Sequence, residues 1–278
     1  MLQLTPKKLE EIDFSAYGRV YRLGKTGAAA FTDANLMLRA YKLGATHSGS
    51  GRFICSAMER HVSTEEILFA GDSALALCLS DDDPYSPPHA CNLLCVVLEP
   101  GDVVVLNKGV WHDACRGLDG RDTLYYFMAL NNGEPSELEW TKVQPEGVEV
   151  LSDCSAAAYS KTKHGAREKA VSSLFCRNSI FAEGLVSGAE WECWQTENVC
   201  PGFPVRLGFI PICGGKAVEL RAGKAGEEFL LCVDAPMELN FEDGSNTDLL
   251  PGEYISVRPG TAYSASSATD TWCYLMVR

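Results

Sequence analysis

Hydrophobic residues in this chain come in short runs, broken every ten residues or so by clusters of Gly, Pro, Asp and Asn. Ala74–Leu79, Leu93–Leu98, Val103–Leu106, Thr123–Leu130, Phe229–Val233, Met237–Phe241, Tyr254–Val257 and Trp272–Val277 are the clearest of them. Runs of this length and spacing predict β-strands of an antiparallel sandwich or barrel rather than helices. Helical patterning is confined to the start, where Pro6–Ile12 predicts a short helix opened by Thr5.

The pattern occurs twice. LEPGDVVVLNKGVWH (98–112) parallels LLPGEYISVRPGTAY (249–263): a Pro-Gly turn, an acidic residue, an apolar strand, a second glycine turn and an aromatic. Upstream, TEEILFAGDSALAL (64–77) parallels GEEFLLCVDAPMEL (226–239). Two landmarks in the same order argue for an internal duplication. Between the halves, SDCSAAAYSKTKHGAREK is small, polar and basic, which predicts a linker. The expected division is a first barrel over 1–143, a linker over 144–174 and a second barrel over 175–278.

Chemistry concentrates in the first half. In a strand, residues two apart share a face, so Glu59 and His61 point together while Arg60 points away. Glu66 follows at the head of an apolar strand, with Glu65 as the competing choice, and His112 stands just after the glycine turn Asn107–Gly109. Two imidazoles and one or two carboxylates form a mixed nitrogen and oxygen set suited to a divalent first-row metal such as Zn, Mn, Ni or Fe. When Glu228 is aligned with Glu66, the corresponding places in the second half hold Arg221, Gly223, Glu228 and Tyr263. Arginine offers no lone pair, so no metal is expected there.

Composition narrows the partners. Lys plus Arg is 24 against 37 for Asp plus Glu, a net charge of −13, which disfavours nucleic acid and anionic lipid. The start is polar and no run of about 18 apolar residues occurs, so neither a signal peptide nor a membrane span is expected and the reading is cytoplasmic. The 12 cysteines include no CxxC pair, and they read as reduced thiols packed as small apolar residues, Cys91 and Cys95 within a buried strand.

The residues around His61 and His112 resemble the cupin superfamily. Its second motif, G-x5-P-x-G-x2-H, fits Gly101 to His112 with Asn107 in place of proline. Its first, G-x5-H-x-H-x(3,4)-E, fits His61 and Glu66 with Glu59 where the leading histidine belongs. The first 130 residues further resemble bacterial ureidoglycolate lyase, through FSAYG (Phe14–Gly18), E-R-H (Glu59–His61) and V-W-H (Val110–His112). That family has His-Pro where this chain has Asp113-Ala114, and Gln near the position of Glu66. The resemblance implies two tandem jelly-roll cupin barrels, all-β, the first holding a metal on His61, His112, Glu66 and Glu59. It implies a lyase of purine and allantoin breakdown that releases urea and glyoxylate, with Glu59 or Glu66 as the base.

Three residues around this set are candidates for the substrate: Arg60 and Tyr125 for binding, and Lys108 at the barrel mouth to balance a carboxylate. Trp111 is a fourth, although its place next to His112 on a strand also suits packing. Tyr125 and its neighbours alternate along a strand, which suits core filling as well. His47, His89 and His164 read as solvent-exposed, and SDDDP (80–84) as a solvated turn. Other readings are a cupin sugar or uronate isomerase using the same ligands, or a bicupin that binds a small metabolite without turning it over. Open sheet edges make a homodimer the expected assembly.

Overall fold

The computed structural model of the chain describes residues 1–23, 30–32, 36–43, 52–71, 73–118, 123–130, 140–151, 170–179, 186–187, 191–195, 205–224, 228–232 and 234–277. Side chains are described for all of these except 30–32, 36–43, 123–125, 129–130, 170, 178–179, 186–187, 191–195 and 205–206. His47, His164 and most of the expected linker lie outside the described residues, as does the Tyr125 side chain. The fold is all-β, two jelly-roll barrels in tandem, and among the described residues no helix is long and apolar enough to cross a membrane.

In the first barrel, Glu66–Ala70 lies between Asp102–Leu106 and Thr123–Leu130, antiparallel to both. The other wall pairs Leu75–Ser80 with Leu94–Leu98, and the short strands Trp111–His112 and Arg116–Gly117 also pair with Leu75–Ser80. Strand alternation sorts the side chains onto two faces. Leu68, Ala70, Leu75, Leu77, Leu79, Val96, Leu98, Val104, Leu106 and Phe127 share one core. The intervening Ala76, Cys78, Cys95 and Trp111 join a second core with Cys55, Met58, Val148 and Val150. Each fully buried Leu or Val contributes about 1.5–3 kcal/mol, so a slip of one residue in register would exchange the two sets and forfeit most of that gain.

The FSAYG segment has a packing explanation. Phe14 is buried in the first core, and its carbonyl accepts hydrogen bonds from Tyr17 N and Gly18 N, closing a tight turn. The Asn107 N–H then bonds to the Tyr17 carbonyl at 2.9 Å. Gly18 has φ +153°, and a Cβ there would collide with the carbonyl oxygen of Val105. Only glycine lets this strand approach so closely.

The second barrel orders Ala170–Val171, Phe175–Ser179, Glu253–Val257, Glu228–Cys232, Thr271–Val277, Val205–Ile212 and Ala30–Thr32 in one sheet. Ala217–Arg221, Ala262–Ser266, Met237–Phe241 and Asn246–Leu249 form another. Leu230, Cys232, Leu239, Phe241, Ile255, Val257, Tyr263 and Ala265 fill its core.

The duplication read in the sequence is present in the geometry. Gly101 and Gly252 have φ of +88° and +83°, and Gly109 and Gly260 have +82° and +84°. The Asp102 carboxylate accepts from Glu99 N at 3.0 Å, and the Glu253 carboxylate accepts from Leu250 N at 2.9 Å. Each acidic side chain thus closes its own Pro-Gly turn.

The chain divides into one unit of Met1–Tyr21, Leu38–Lys161 and Ser187–Cys193 and another of Arg22–Met37, Thr162–Val186 and Trp194–Arg278. Two expectations need correction. Val148–Leu151, expected in the linker, pairs with Arg52–Cys55. At the start, Lys7–Lys8 pairs in parallel with Val96–Val97, leaving only Leu9–Glu11 as a 3-10 turn where a helix was expected. The ladder takes the backbone groups that a helix would have needed.

Candidate metal centre

Four polar side chains meet in the interior of the first barrel, and strand geometry puts them there. Glu66 opens its strand on the same face as Leu68 and Ala70, and pairs with Leu106. His112 pairs with Leu79, another interior position. Glu59 reaches His112 through a single β-bridge, with N–H to carbonyl distances of 2.8 and 2.9 Å in the two directions. The His61 carbonyl accepts from Gly109 N at 2.7 Å, which ties the E-R-H segment to the glycine turn. All four residues are buried, none more than 7% exposed.

Glu66 Oε2 lies 2.7 Å from His112 Nε2 and 3.2 Å from His61 Nε2, and Glu59 Oε1 lies 3.8 Å from His112 Nε2. The imidazoles are stacked, with centroids 5.6 Å apart and planes 26° from parallel. Despite these short separations, His61 Nε2, His112 Nε2 and Glu66 Oε2 have no partner at hydrogen-bonding angles. Leaving three buried polar atoms unsatisfied is costly. One donor atom from each of His61, Glu66 and His112 lies within 4.8 Å of the others. At 3.1 Å, His112 Nδ1 faces the Val110 carbonyl, a contact that places the ring proton on Nδ1 and leaves Nε2 as a donor to a cation. The residues present therefore fit a divalent metal held by two imidazoles and a carboxylate.

Electrostatics separates the two carboxylates. Burial alone would raise the Glu66 pKa, but the flanking His61 and His112 outweigh it and hold the group well below the usual carboxylate range. Burial dominates at Glu59 and pushes it up to about 7; His112 offsets only part of this, and the Glu66 charge adds to it. Burial pulls His112 down, yet Glu66 more than compensates and raises it to about 9. His61 is raised in the same way, against its own burial.

The competition between Glu65 and Glu66 resolves to Glu66, because Glu65 forms a two-pronged ion pair with Arg19 at 2.8 and 2.9 Å. Among the candidate substrate residues, Trp111 is 1% exposed, belongs to the second core and donates Nε1–H to the Asp83 carbonyl at 3.3 Å. Arg60 follows it, with its guanidinium 4.3 Å from the Trp111 ring centroid. The parity that aims His112 inward turns Trp111 to the opposite side, where Arg60 covers its ring. Lys108 is exposed on the turn after Leu106, and the Tyr125 backbone pairs with Ala70. His89 is exposed as expected. Cys91, expected in a buried strand, is exposed in the 3-10 turn Ala90–Asn92. In the SDDDP turn, Asp82 caps the loop by accepting from Ser80 Oγ and His89 N, at 2.8 and 2.7 Å.

In the second barrel Glu228 accepts from Gly223 N at 2.7 Å, and Arg221 is exposed. Tyr263 stacks on Phe241, which stacks on Phe175 at 4.4 Å, so rings occupy the interior. Among the described residues, no group of three or more metal-ligating side chains lies there.

No protein-family model matches the chain, and no curated protein matches it in sequence. Solved structures to which the chain is similar include two oxalate decarboxylases and a cupin superfamily protein. Oxalate decarboxylase from Bacillus subtilis is 8% identical with a TM-score of 0.42, over 93% of this chain and 75% of that one. The Lactobacillus farciminis oxalate decarboxylase is 8% identical with a TM-score of 0.39, over 93% and 84%. A cupin superfamily protein from Desulfitobacterium hafniense is 15% identical with a TM-score of 0.24, over 26% and 65%. Similarity at this level assigns no activity.

Proposed function

We propose that the first barrel is a metal-dependent enzyme for small hydroxy or keto acids, with ureidoglycolate cleavage as its reaction. The observation that carries this reading is the pairing of two unlike carboxylates at one buried centre. Glu66 is held ionised between two imidazoles whose Nε2 atoms lack hydrogen-bond partners, while Glu59 beside them has a pKa of about 7. The first is suited to hold a metal and the second to move a proton at neutral pH.

His61, His112 and Glu66 would hold the ion, with Glu59 next to it. When bound, a divalent metal supplies Lewis-acid polarisation of a hydroxyl and charge neutralisation for a neighbouring carboxylate. The other steps belong to the chain. Glu59 takes the proton from the substrate hydroxyl as the carbon–oxygen double bond forms and the carbon–nitrogen bond breaks. The same carboxyl then returns that proton to the departing urea nitrogen, which leaves glyoxylate and urea with no proton gained or lost. The apolar wall of Leu77, Leu79, Val104 and Phe127 keeps bulk water from competing for the proton. With Arg60 stacked on Trp111, Lys108 is the remaining candidate among the described side chains to meet the far end of the substrate.

The test is urea and glyoxylate release from ureidoglycolate by the metal-loaded protein, beside ureidoglycine and keto-sugars. Release from ureidoglycolate supports the reading. Turnover of keto-sugars alone would transfer the same four residues to an isomerase, and binding without turnover would make the barrel a metabolite receptor.

A further inference from the structure

A second group of metal-ligating side chains lies at the second core of the first barrel. Cys55 ends the strand Arg52–Cys55, Cys78 is in the middle of Leu75–Ser80, and Asp113 follows directly on Trp111–His112. One donor atom from each lies within 4.8 Å of the other two, and all three residues are buried, none more than 4% exposed. We propose that Cys55, Cys78 and Asp113 form a structural site for a zinc-class divalent cation, separate from the centre at His61, Glu66 and His112.

Three observations support the assignment. First, the Asp113 carboxylate is pre-oriented: its Oδ1 accepts from Cys78 N at 2.9 Å and from Cys115 N at 3.2 Å. Asp113 N in turn donates to the Cys78 carbonyl at 3.1 Å, and Cys115 adopts a φ of +54° that a non-glycine residue seldom takes. A backbone strained in this way, fixing a buried carboxylate beside two thiols, suits a ligand cage better than passive packing.

Second, the surroundings are dry. Met58, Ala76, Leu118 and Val148 pack around the group, so a carboxylate here must find its counter-charge within the protein.

Third, the charges balance. A divalent ion with two thiolates and one carboxylate leaves one negative charge. Without an ion the Cys78 contact and burial push the Cys55 thiol up, and the Arg116 guanidinium opposes this weakly there and opposes burial at Asp113. Two sulfurs and an oxygen match zinc-class cations. Binding forms two sulfur–metal bonds and sends the two thiol protons to solvent. Cys95 lies opposite Cys78 in the ladder and outside the three-donor set. Such an ion would join the strand Arg52–Cys55 to the wall that carries His112.

Cobalt(II) is the probe, because thiolate ligation gives intense near-ultraviolet charge-transfer absorption that imidazole and carboxylate ligation does not. The full chain is freed of metal, refolded with cobalt(II) and compared across variants. The expected result is a charge-transfer band in wild type and in His61→Ala with His112→Ala, lost in Cys55→Ser and in Cys78→Ser. No band in refolded wild type, or a band undiminished in both cysteine variants, overturns the proposal. Should the cysteine variants fail to fold, X-ray absorption of zinc-loaded wild type decides: sulfur scatterers at about 2.3 Å support the site, and a shell of nitrogen and oxygen alone removes it.

Discussion

Glu66 and Glu228 stand at the same position of their two barrels and meet opposite surroundings. Each opens a strand, and each pairs with the last residue of the strand beside it, Leu106 or Val257. Glu66 faces two imidazoles and is held ionised, whereas Glu228 meets the Gly223 N–H and has a raised pKa, with burial the larger cause. The duplicated fold supplies a carboxylate twice, and among the described residues only the first copy surrounds it with side chains able to ligate a metal. Glu66→Gln should therefore weaken metal affinity at least about a hundredfold, more than the loss of an outer-shell partner, while Glu228→Gln leaves it unchanged. Competition with a chromogenic chelator reads both.

Glu59 should separate chemistry from binding. In Glu59→Gln the shape is kept and the proton acceptor is lost, so turnover on ureidoglycolate should fall about 10²–10⁴-fold, the usual contribution of a positioned general base. Metal content should stay close to wild type, because Glu59 Oε1 is 3.8 Å from His112 Nε2 and is not among the three grouped donors. Equal losses of metal and turnover would make Glu59 a ligand instead.

The stability of the metal-free protein should fall as pH rises, and the increment from added metal should grow. His112 is raised from 6.5 to about 9 in the fold, so the stability it contributes is complete below about pH 6.5 and is lost as pH rises through 9. Glu59 is raised from 4.5 to about 7, so folding favours its protonated form and stability also falls as pH rises across that interval. Metal-free protein should lose on the order of 3 kcal/mol between pH 6 and pH 9. Bound metal competes with protons for the same imidazoles, so the stabilisation on adding metal should grow over that range. Urea unfolding at pH 6, 7.5 and 9, with and without metal, measures both trends.

Two packing residues give stability predictions that leave the metal alone. Trp111→Ala empties a fully buried position in the second core and should cost about 3–5 kcal/mol. Gly18→Ala forces a Cβ against the Val105 carbonyl and should destabilise the first barrel as well. Metal bound at His61, Glu66 and His112 should be unaffected in both, since Trp111 packs in the second core and a Cβ at Gly18 meets the Val105 and Leu106 backbone. Chemical denaturation followed by Trp fluorescence suits Gly18→Ala, and far-ultraviolet circular dichroism suits Trp111→Ala.

Strand parity and motif spacing are local, and what they encode was legible. Glu59 and His61 face one way and Arg60 the other, and Glu66 and His112 fall on interior positions of their strands. Most expected strands lie within a residue or two of the observed ones, as Leu93–Leu98 does against Leu94–Leu98. Pairings between distant segments were not legible. Ala30–Thr32 is three residues long and pairs with Val205–Leu207, and nothing in either segment names its partner. The Cys55, Cys78 and Asp113 group escaped for the same reason. Its members come from separate strands and share no spacing, so each cysteine read as an isolated apolar residue.

The account rests on a metal at His61, Glu66 and His112 in the first barrel and on none in the interior of the second. Its most direct test is divalent-metal binding to the metal-stripped protein, by calorimetry with zinc and manganese, in wild type, His61→Ala with His112→Ala, and Tyr263→Phe. Cys55→Ser in all three backgrounds removes the contribution of the thiol cluster. The expected result is a binding event in the wild-type and Tyr263→Phe backgrounds that the double substitution abolishes. The same binding in the double variant, correctly folded, would contradict the assignment of this centre.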